Sequence, residues 1–294
     1  MTTSDEARAV EASSALLQTQ SLDDGGEEQK REVLQFLAAR PPHTVFLSGL
    51  VRDNGLMNPA NRGKFYACRN AAGNLEGVAL IGHTVIFETR HKSAIAAFAR
   101  LTQDYPQAHV VIGEREKIDL FSRYYGANGR RMRLLQRELL FEQRRALEAL
   151  EFNPNLRPAM LDDLKSIALV NAAMITEKSG IDPLQVDAAG FRERLQRRIE
   201  RGRIWVLTEN RRLIFKAESI ADTSQVIYLE GVYVNPNERG KGHGLRCLSQ
   251  LGRNLLERTN SICLLVDEEN RSALNLYRRA NYEMHSAYST LYLH

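Results

Sequence analysis

The stretch VYVNPNERGKGHGLRC, from Val232 to Cys247, decides how this chain is read. An apolar run ends in Asn-Pro-Asn. Three glycines then alternate with a lysine and a histidine, and a helix-like pattern resumes. Glycine brings no Cβ and tolerates positive φ, so successive N–H groups can turn toward one point. The first turn of a helix adds free N–H groups and a partial positive charge. Arg239 and Lys241 add full charges beside them. A strand, a glycine loop and a helix in this order form a cradle for a diphosphate.

Three phosphate-binding patterns compete for the loop. A P-loop needs Gly-x-x-x-x-Gly-Lys-Ser/Thr, and that spacing is absent. A dinucleotide fold needs Gly-x-Gly-x-x-Gly, and Gly240-x-Gly242-x-x-Leu245 fails at its third glycine. The pattern Gln/Arg-x-x-Gly-x-Gly/Ala is met in full by Arg239, Gly242 and Gly244. With it comes a second element about thirty residues on. Asn270 opens a helix-like run and Tyr277 follows seven residues later. On these residues the region from about 155 to 294 resembles the GNAT superfamily of acyl-CoA-dependent N-acetyltransferases.

The resemblance implies a mixed α/β sheet, the GNAT acyl-CoA N-acyltransferase fold, with acetyl-CoA as cosubstrate and no metal. Val232, Tyr233 and Val234 would lie along the pantetheine arm like an added strand, and Gly231 would permit a bulge there. Arg239, Gly240, Lys241, Gly242, His243, Gly244 and Leu245 would hold the diphosphate. Asn270 would reach the pantetheine amides, and Tyr277 would lie near the thioester sulfur. The family's helix ends in Gly-Phe or Gly-Tyr; here Asn281-Tyr282 stands instead, a mild departure because Asn also tolerates the left-handed region.

Transfer to a lysine-like amine of pKa ~10.4 requires the neutral form, present about once in 2,500 molecules at pH 7, a penalty of roughly 4.6 kcal/mol. The proton must leave, the thioester carbonyl must be polarised, and the departing thiolate must be protonated. Backbone N–H groups near Val232 are placed for the carbonyl, Tyr277 for the acid and Glu230 for the base, directly or through a water. Two readings stay open for each side chain: Glu230 as base or as an exposed strand carboxylate, Tyr277 as acid or as an edge-packed aromatic. His243 lies inside the phosphate loop and is read as an N–H donor or a solvated residue. A non-catalytic, acetyl-CoA-responsive regulatory module is the alternative to an enzyme.

The rest of the chain bounds these readings. Its 294 residues suggest two domains, with ordinary apolar (43%) and charged (26%) fractions. No run of about 18 apolar residues suggests a membrane span, and the N-terminus shows no secretory pattern. Cys68, Cys247 and Cys263 have no motif spacing, which points to a reducing compartment and a cytoplasmic location. Residues 1–29 carry seven carboxylates against Arg8, a net of −6 that leaves about +10 for the remainder of a chain of net +4. A basic body suits an anionic ligand. The segment FRERLQRRIERGR (191–203) spaces Phe191, Leu195 and Ile199 as a core stripe, with its arginines as a solvated face. No aromatic-plus-basic pattern marks an RNA surface there. The expected partners are acetyl-CoA and an amine acceptor, small molecule or protein; a homodimer stays open.

The first half echoes the second. HVVIGEREKIDLFSRYYG (109–126) follows the order of ICLLVDEENRSALNLYRRANY (262–282), with Phe121 aligned on Tyr277. "LEGV" occurs at 75–78 and 229–232, and only Arg90-His91-Lys92 links TVIFET to the helix expected from 91. The chain thus resembles tandem GNAT proteins with one working site. The expected organisation is a disordered acidic tail (1–27), a degenerate GNAT-like domain (28–143), a linker (144–155) and a catalytic domain (156–294).

Overall fold

The computed structural model describes residues 17–23, 26–126, 131–147, 152–210 and 212–294. The chain forms two compact units, residues 1–140 with 285–294, and residues 141–284.

The first unit begins with β1 (Gln18–Ser21), antiparallel to β2 (Gly63–Arg69). Of the expected disordered tail (1–27), Gln18–Ser21 is thus a strand, while residues 1–16, 24 and 25 lie outside the described residues. The strand is polar and has no apolar alternation, so only its pairing with β2 identifies it. Helix α1 (Glu27–Leu37) follows, then α2 (Pro41–Asn54). The first of these ends at Leu37, and Pro41-Pro42 opens the second, since proline costs nothing in a first helical turn. Strands β2, β3 (Leu75–Gly82) and β4 (Thr84–Thr89) are antiparallel neighbours, and β5 (Val110–Glu114) is parallel to β4. Helix α3 (Lys92–Thr102) joins β4 to β5, and α4 (Arg115–Gly126) leads to β6 (Met132–Gln143).

Alternation along the strands builds two cores. Phe65, Ala67, Val78 and Leu80 face α1 and α2 with Val33, Leu37, Leu47 and Val51. Tyr66, Cys68, Ala79 and Ile81 face the opposite way and pack with Phe98 of α3 and Phe121 of α4.

In the second unit β7 (Leu156–Pro158), β8 (Ile204–Glu209), β9 (Arg212–Asp222) and β10 (Val226–Val234) are successive antiparallel neighbours, and β11 (Ser261–Asp267) is parallel to β10. Helices α5 (Leu164–Ser179) and α6 (Pro183–Glu200) lie between β7 and β8, α7 (His243–Leu256) between β10 and β11, and α8 (Arg271–Arg279) after β11. Ile167, Ala168 and Ala172 of α5 and Phe191, Leu195 and Ile199 of α6 bury against Ile204 and Val206, so the expected core stripe of α6 is present. Asp163, just before α5, turns its side chain back to accept from Met160 N–H (2.8 Å) and Arg157 (2.7 Å).

The two units share element order and strand polarity throughout: strand, two helices, three antiparallel strands, helix, parallel strand, helix. The division of the chain is less simple than a cut near residue 150. Strand β12 (Glu283–Leu293) is continuous, and it leaves the second unit at Met284. Tyr288–Tyr292 pairs antiparallel with Glu114–Val110 of β5. Leu291 and Leu293 bury in the first unit's core. Side chains of this size contribute roughly 2 kcal/mol each when buried. A chain ending at Met284 is therefore expected to lose the cooperative melting of the first unit and to aggregate through the bared β5 edge. An unchanged thermal melt of that truncation would refute the pairing.

Candidate functional site

The site grows from a single irregularity in the second unit. Strand β10 pairs with β11 from Val226/Ser261 to Leu229/Leu264, and there the parallel ladder stops. On its other side β10 continues against β9, with Glu230 opposite Glu218 and Tyr233 opposite Lys216. Gly231 and Val232 together face the single residue Ala217, which is a bulge. Gly231 sits at φ +60, and a Cβ there would lie 2.6 Å from Lys216 Nζ and 2.9 Å from Glu218 Oε1. The bulge expected at Gly231 is present, and the backbone from Glu230 to Val234 keeps an edge that β11 does not pair.

Directly after this edge the chain makes a short 3-10 turn, Pro236–Glu238, which Asn235 caps at Asn237 N–H (3.1 Å). Gly240 (φ +78) and Gly242 (φ +84) then turn it into α7. The space above both is open: nothing lies within 4 Å of a Cβ on Gly240, and only Arg246 Nε, at 3.9 Å, near one on Gly242. Gly244 is different, because a Cβ there would meet Val234 at 3.1 Å and Leu276 at 3.4 Å. It lets α7 begin against the bulged strand. Among the described residues the N–H groups of His243, Gly244 and Leu245 find no partner. The His243 Nδ1 and Arg246 Nε atoms are buried without one. Arg239 and Lys241 are exposed; Arg239 Nε donates to Val234 O (3.3 Å), and Lys241 Nζ to Glu238 (2.7 Å). An open glycine loop with free main-chain donors and three cationic side chains fits a diphosphate.

Asn270 caps α8, its side chain accepting from Ala273 N–H (3.0 Å), so its oxygen serves the helix and its NH₂ is left to donate. Tyr277 is 7% exposed, between the rings of Phe141 (6.5 Å) and Tyr282 (5.8 Å). Burial pushes its phenol well above the ordinary tyrosine range, so it stays protonated. Asn281 takes the left-handed region at φ +66, as its place in the motif requires. The side chain of Glu230 is reached by solvent, yet desolvation raises its carboxyl. The charge of Glu218 pushes it further up, while Lys178, Arg198 and Lys216 pull it down.

Around Glu230 lies a group that the sequence reading missed. Lys216 is fully buried and bonds to Glu218, itself 2% exposed. Glu218 also accepts from Asn171 Nδ2 of α5 (2.6 Å) and Arg198 of α6 (2.7 Å). Burial alone would raise Glu218, but Lys216 and Arg198 outweigh it and hold the carboxyl at about 2. The signal was present: LIFKAES interrupts an apolar strand with a lysine and a glutamate on one face. Arg198 also corrects the reading of the α6 arginines as a purely solvated face. Arg194 and Arg197 do pair outward, with Asp187 (3.1 Å) and Glu193 (2.6 Å).

The first unit shows the same notch differently filled. Its parallel ladder sets Thr84 opposite Val110 and stops at Ile86/Ile112. Matching the ladders by their first pairs puts Glu88 in the place of Glu230. Arg40 bonds to Glu88 (3.0 Å) and Glu114 (2.6 and 2.8 Å), and Lys117 to Glu88 (2.9 Å) and Glu114 (2.7 Å). The link into α3 carries no glycine. Phe121 and Tyr277 are each the seventh residue of their helices, as aligned. The "LEGV" echo, however, falls on β3 in one unit and β10 in the other, which are not equivalent strands.

Comparison with known proteins agrees with this geometry. Residues 217–291 match the FR47-like protein family. An acetyltransferase of the GNAT family from Colwellia psychrerythraea is similar in structure, with 13% identity, 95% of this chain and 99% of that one covered, and a TM-score of 0.55. A tandem GNAT protein from the clavulanic acid biosynthesis pathway shares 13% identity over 94% and 98%, with a TM-score of 0.58. A Drosophila protein shares 11% over 95% and 98%, with a TM-score of 0.64. No curated protein matches the sequence. The fold is that of the GNAT acyltransferases, and the likeness to a tandem member runs through almost the whole chain. Among the described residues no helix is long and apolar enough to cross a membrane, and no group of three metal-ligating side chains gathers.

The bulge gives the site its first test. Gly231→Ala places a methyl group against Lys216 Nζ and forces a left-handed alanine, at a cost of about 1–2 kcal/mol for the backbone alone. Chemical denaturation is expected to show at least that loss. A variant as stable as the parent would mean that Gly231 does not hold this conformation.

Proposed function

We propose that the second unit transfers an acetyl group from acetyl-CoA directly to a primary amine of a small-molecule or protein acceptor. One observation carries this reading. A strand edge left unpaired from Glu230 to Val234 runs straight into a glycine-built helix N-terminus. An extended arm can pair with the first while a diphosphate sits on the second.

Acetyl-CoA supplies the activated acyl group as a thioester. Main-chain N–H groups and cations from Arg239 to Leu245 hold its diphosphate, Val232, Tyr233 and Val234 its arm, and the Asn270 NH₂ an amide of that arm. Glu230 takes a proton from the acceptor's ammonium, directly or through a water. N–H groups near Val232 stabilise charge on the carbonyl oxygen. The Tyr277 hydroxyl donates its proton to the departing sulfur and is restored by the second proton that the acylated nitrogen loses, so the amide and the free thiol leave with one proton on Glu230. The first unit, whose notch Arg40 and Lys117 fill with ion pairs and whose loop lacks glycine, takes no cofactor. It is a degenerate copy.

Calorimetry is expected to give one acetyl-CoA per chain; two would show that the first unit also binds. Tyr277→Phe should lower kcat by about 10²-fold, the ordinary worth of a positioned acid, with acetyl-CoA affinity retained. Because Glu230 is raised, kcat/KM should climb as pH rises through a value above the usual glutamate range, and Glu230→Gln should erase that limb. If acetyl-CoA binds but no thiol is released with any of a panel of small-molecule and peptide amines, the unit is an acetyl-CoA-responsive regulator instead.

A further inference from the structure

The buried charges beneath the bulge have no part in the chemistry just described, and burying them is costly. An ionised lysine with no solvent exposure is tolerated only when paired and hydrogen-bonded. Lys216 meets that condition through Glu218, and Glu218 is saturated by three partners from three elements, β9, α5 and α6. Hydrophobic residues would fill the same volume without that penalty. The position of the group is therefore informative. Lys216 Nζ packs beneath Gly231, the residue that bulges the strand, and Glu218 is the direct cross-strand neighbour of Glu230. On α5, Lys178 follows Asn171 by seven residues, two turns along one face, and its charge also reaches Glu230.

We propose that Glu218 is a positioning residue for the site. Its carboxylate, pinned by Lys216, Asn171 and Arg198, fixes the bulge at Gly231 and sets a fixed negative charge directly across the strands from Glu230. The inference rests on Glu230 being the base only where kinetics are used to read it. The charged groups facing Glu230 are Lys178 from α5, Arg198 from α6, and Lys216 and Glu218 from β9. Three cations without Glu218 would keep Glu230 ionised and poorly basic. With it, the carboxyl takes up a proton more readily and is the better base.

The test titrates Glu230 in the full-length protein by carbon-13-labelled glutamate, its resonance assigned by loss in Glu230→Gln. Alongside runs the pH profile of kcat/KM. Glu218→Gln removes the charge and keeps the shape, and both titrations are expected to move to lower pH. Arg198→Gln removes an opposing cation from the half-exposed side of the group and should move them to higher pH. Glu218→Asp keeps the charge at the expense of packing, so it should lose stability yet leave the titration close to that of the parent. If Glu218→Gln lowers the melting temperature but leaves the Glu230 resonance unmoved, Glu218 is merely structural and the inference fails. Should Glu218→Gln not fold, the Arg198→Gln shift decides: no upward movement overturns the proposal. If the resonance moves as expected while Glu230→Gln keeps its acid limb, the positioning stands and the assignment of Glu230 as base falls.

Discussion

The end of the β10–β11 ladder at Leu229 is the constraint on which the second unit depends. Sheets ordinarily satisfy their backbone groups completely, so a strand that leaves its neighbour must be held away. Two devices do this. Gly231 adopts a conformation closed to other residues at little cost, and the Lys216–Glu218 pair fills the space beneath it. Everything useful follows from that departure. The edge from Glu230 to Val234 is not paired by β11, and Gly244 lets α7 open where the strand ends.

The two units show how little of this the fold itself demands. Both have the same strand polarities and both ladders stop early, yet the first closes its notch with Arg40, Glu88, Glu114 and Lys117. Glu114 is held at about 2 there because Arg40 and Lys117 outweigh the burial that would raise it. A notch lined by a carboxylate can be completed from within by guanidinium and ammonium groups or left open for a ligand.

What the sequence made legible was local. The glycine loop, the Asn270 cap, the seven-residue interval to Tyr277 and the left-handed Asn281 all act within one turn or one helix, and a short window contains their physics. What it hid was non-local or weakly patterned. Gln18–Ser21 is a strand only because β2 lies beside it. The helix Pro41–Asn54 carries little apolar periodicity and opens on a residue pair usually read as a stop. The partner of β12 is nearly 180 residues away in β5. Lys216 and Glu218 look like strand polarity until pairing with β10 sets them under Gly231 and Glu230. A one-residue change of that register would turn both toward the other face, so no window of sequence could assign them.

The charges around Glu230 also bear on the central difficulty of the proposed reaction. An ordinary glutamate lies about six pKa units below a lysine-like amine, so proton transfer between them is strongly uphill. Two influences in the cleft narrow that gap from opposite ends. Desolvation and the Glu218 charge raise the carboxyl. In the proposed complex the nearby cations, Lys178, Arg198 and Lys216, would disfavour an ammonium beside them, against the opposite pull of the Glu218 charge. The same cations depress Glu230 in part, which is why a fixed anion that cannot itself take the proton is useful at this position. Glu218, held at about 2, remains charged throughout the range in which the amine and Glu230 exchange a proton. In the proposed reaction the buried network would keep one carboxylate ionised beside the carboxyl that acts as base.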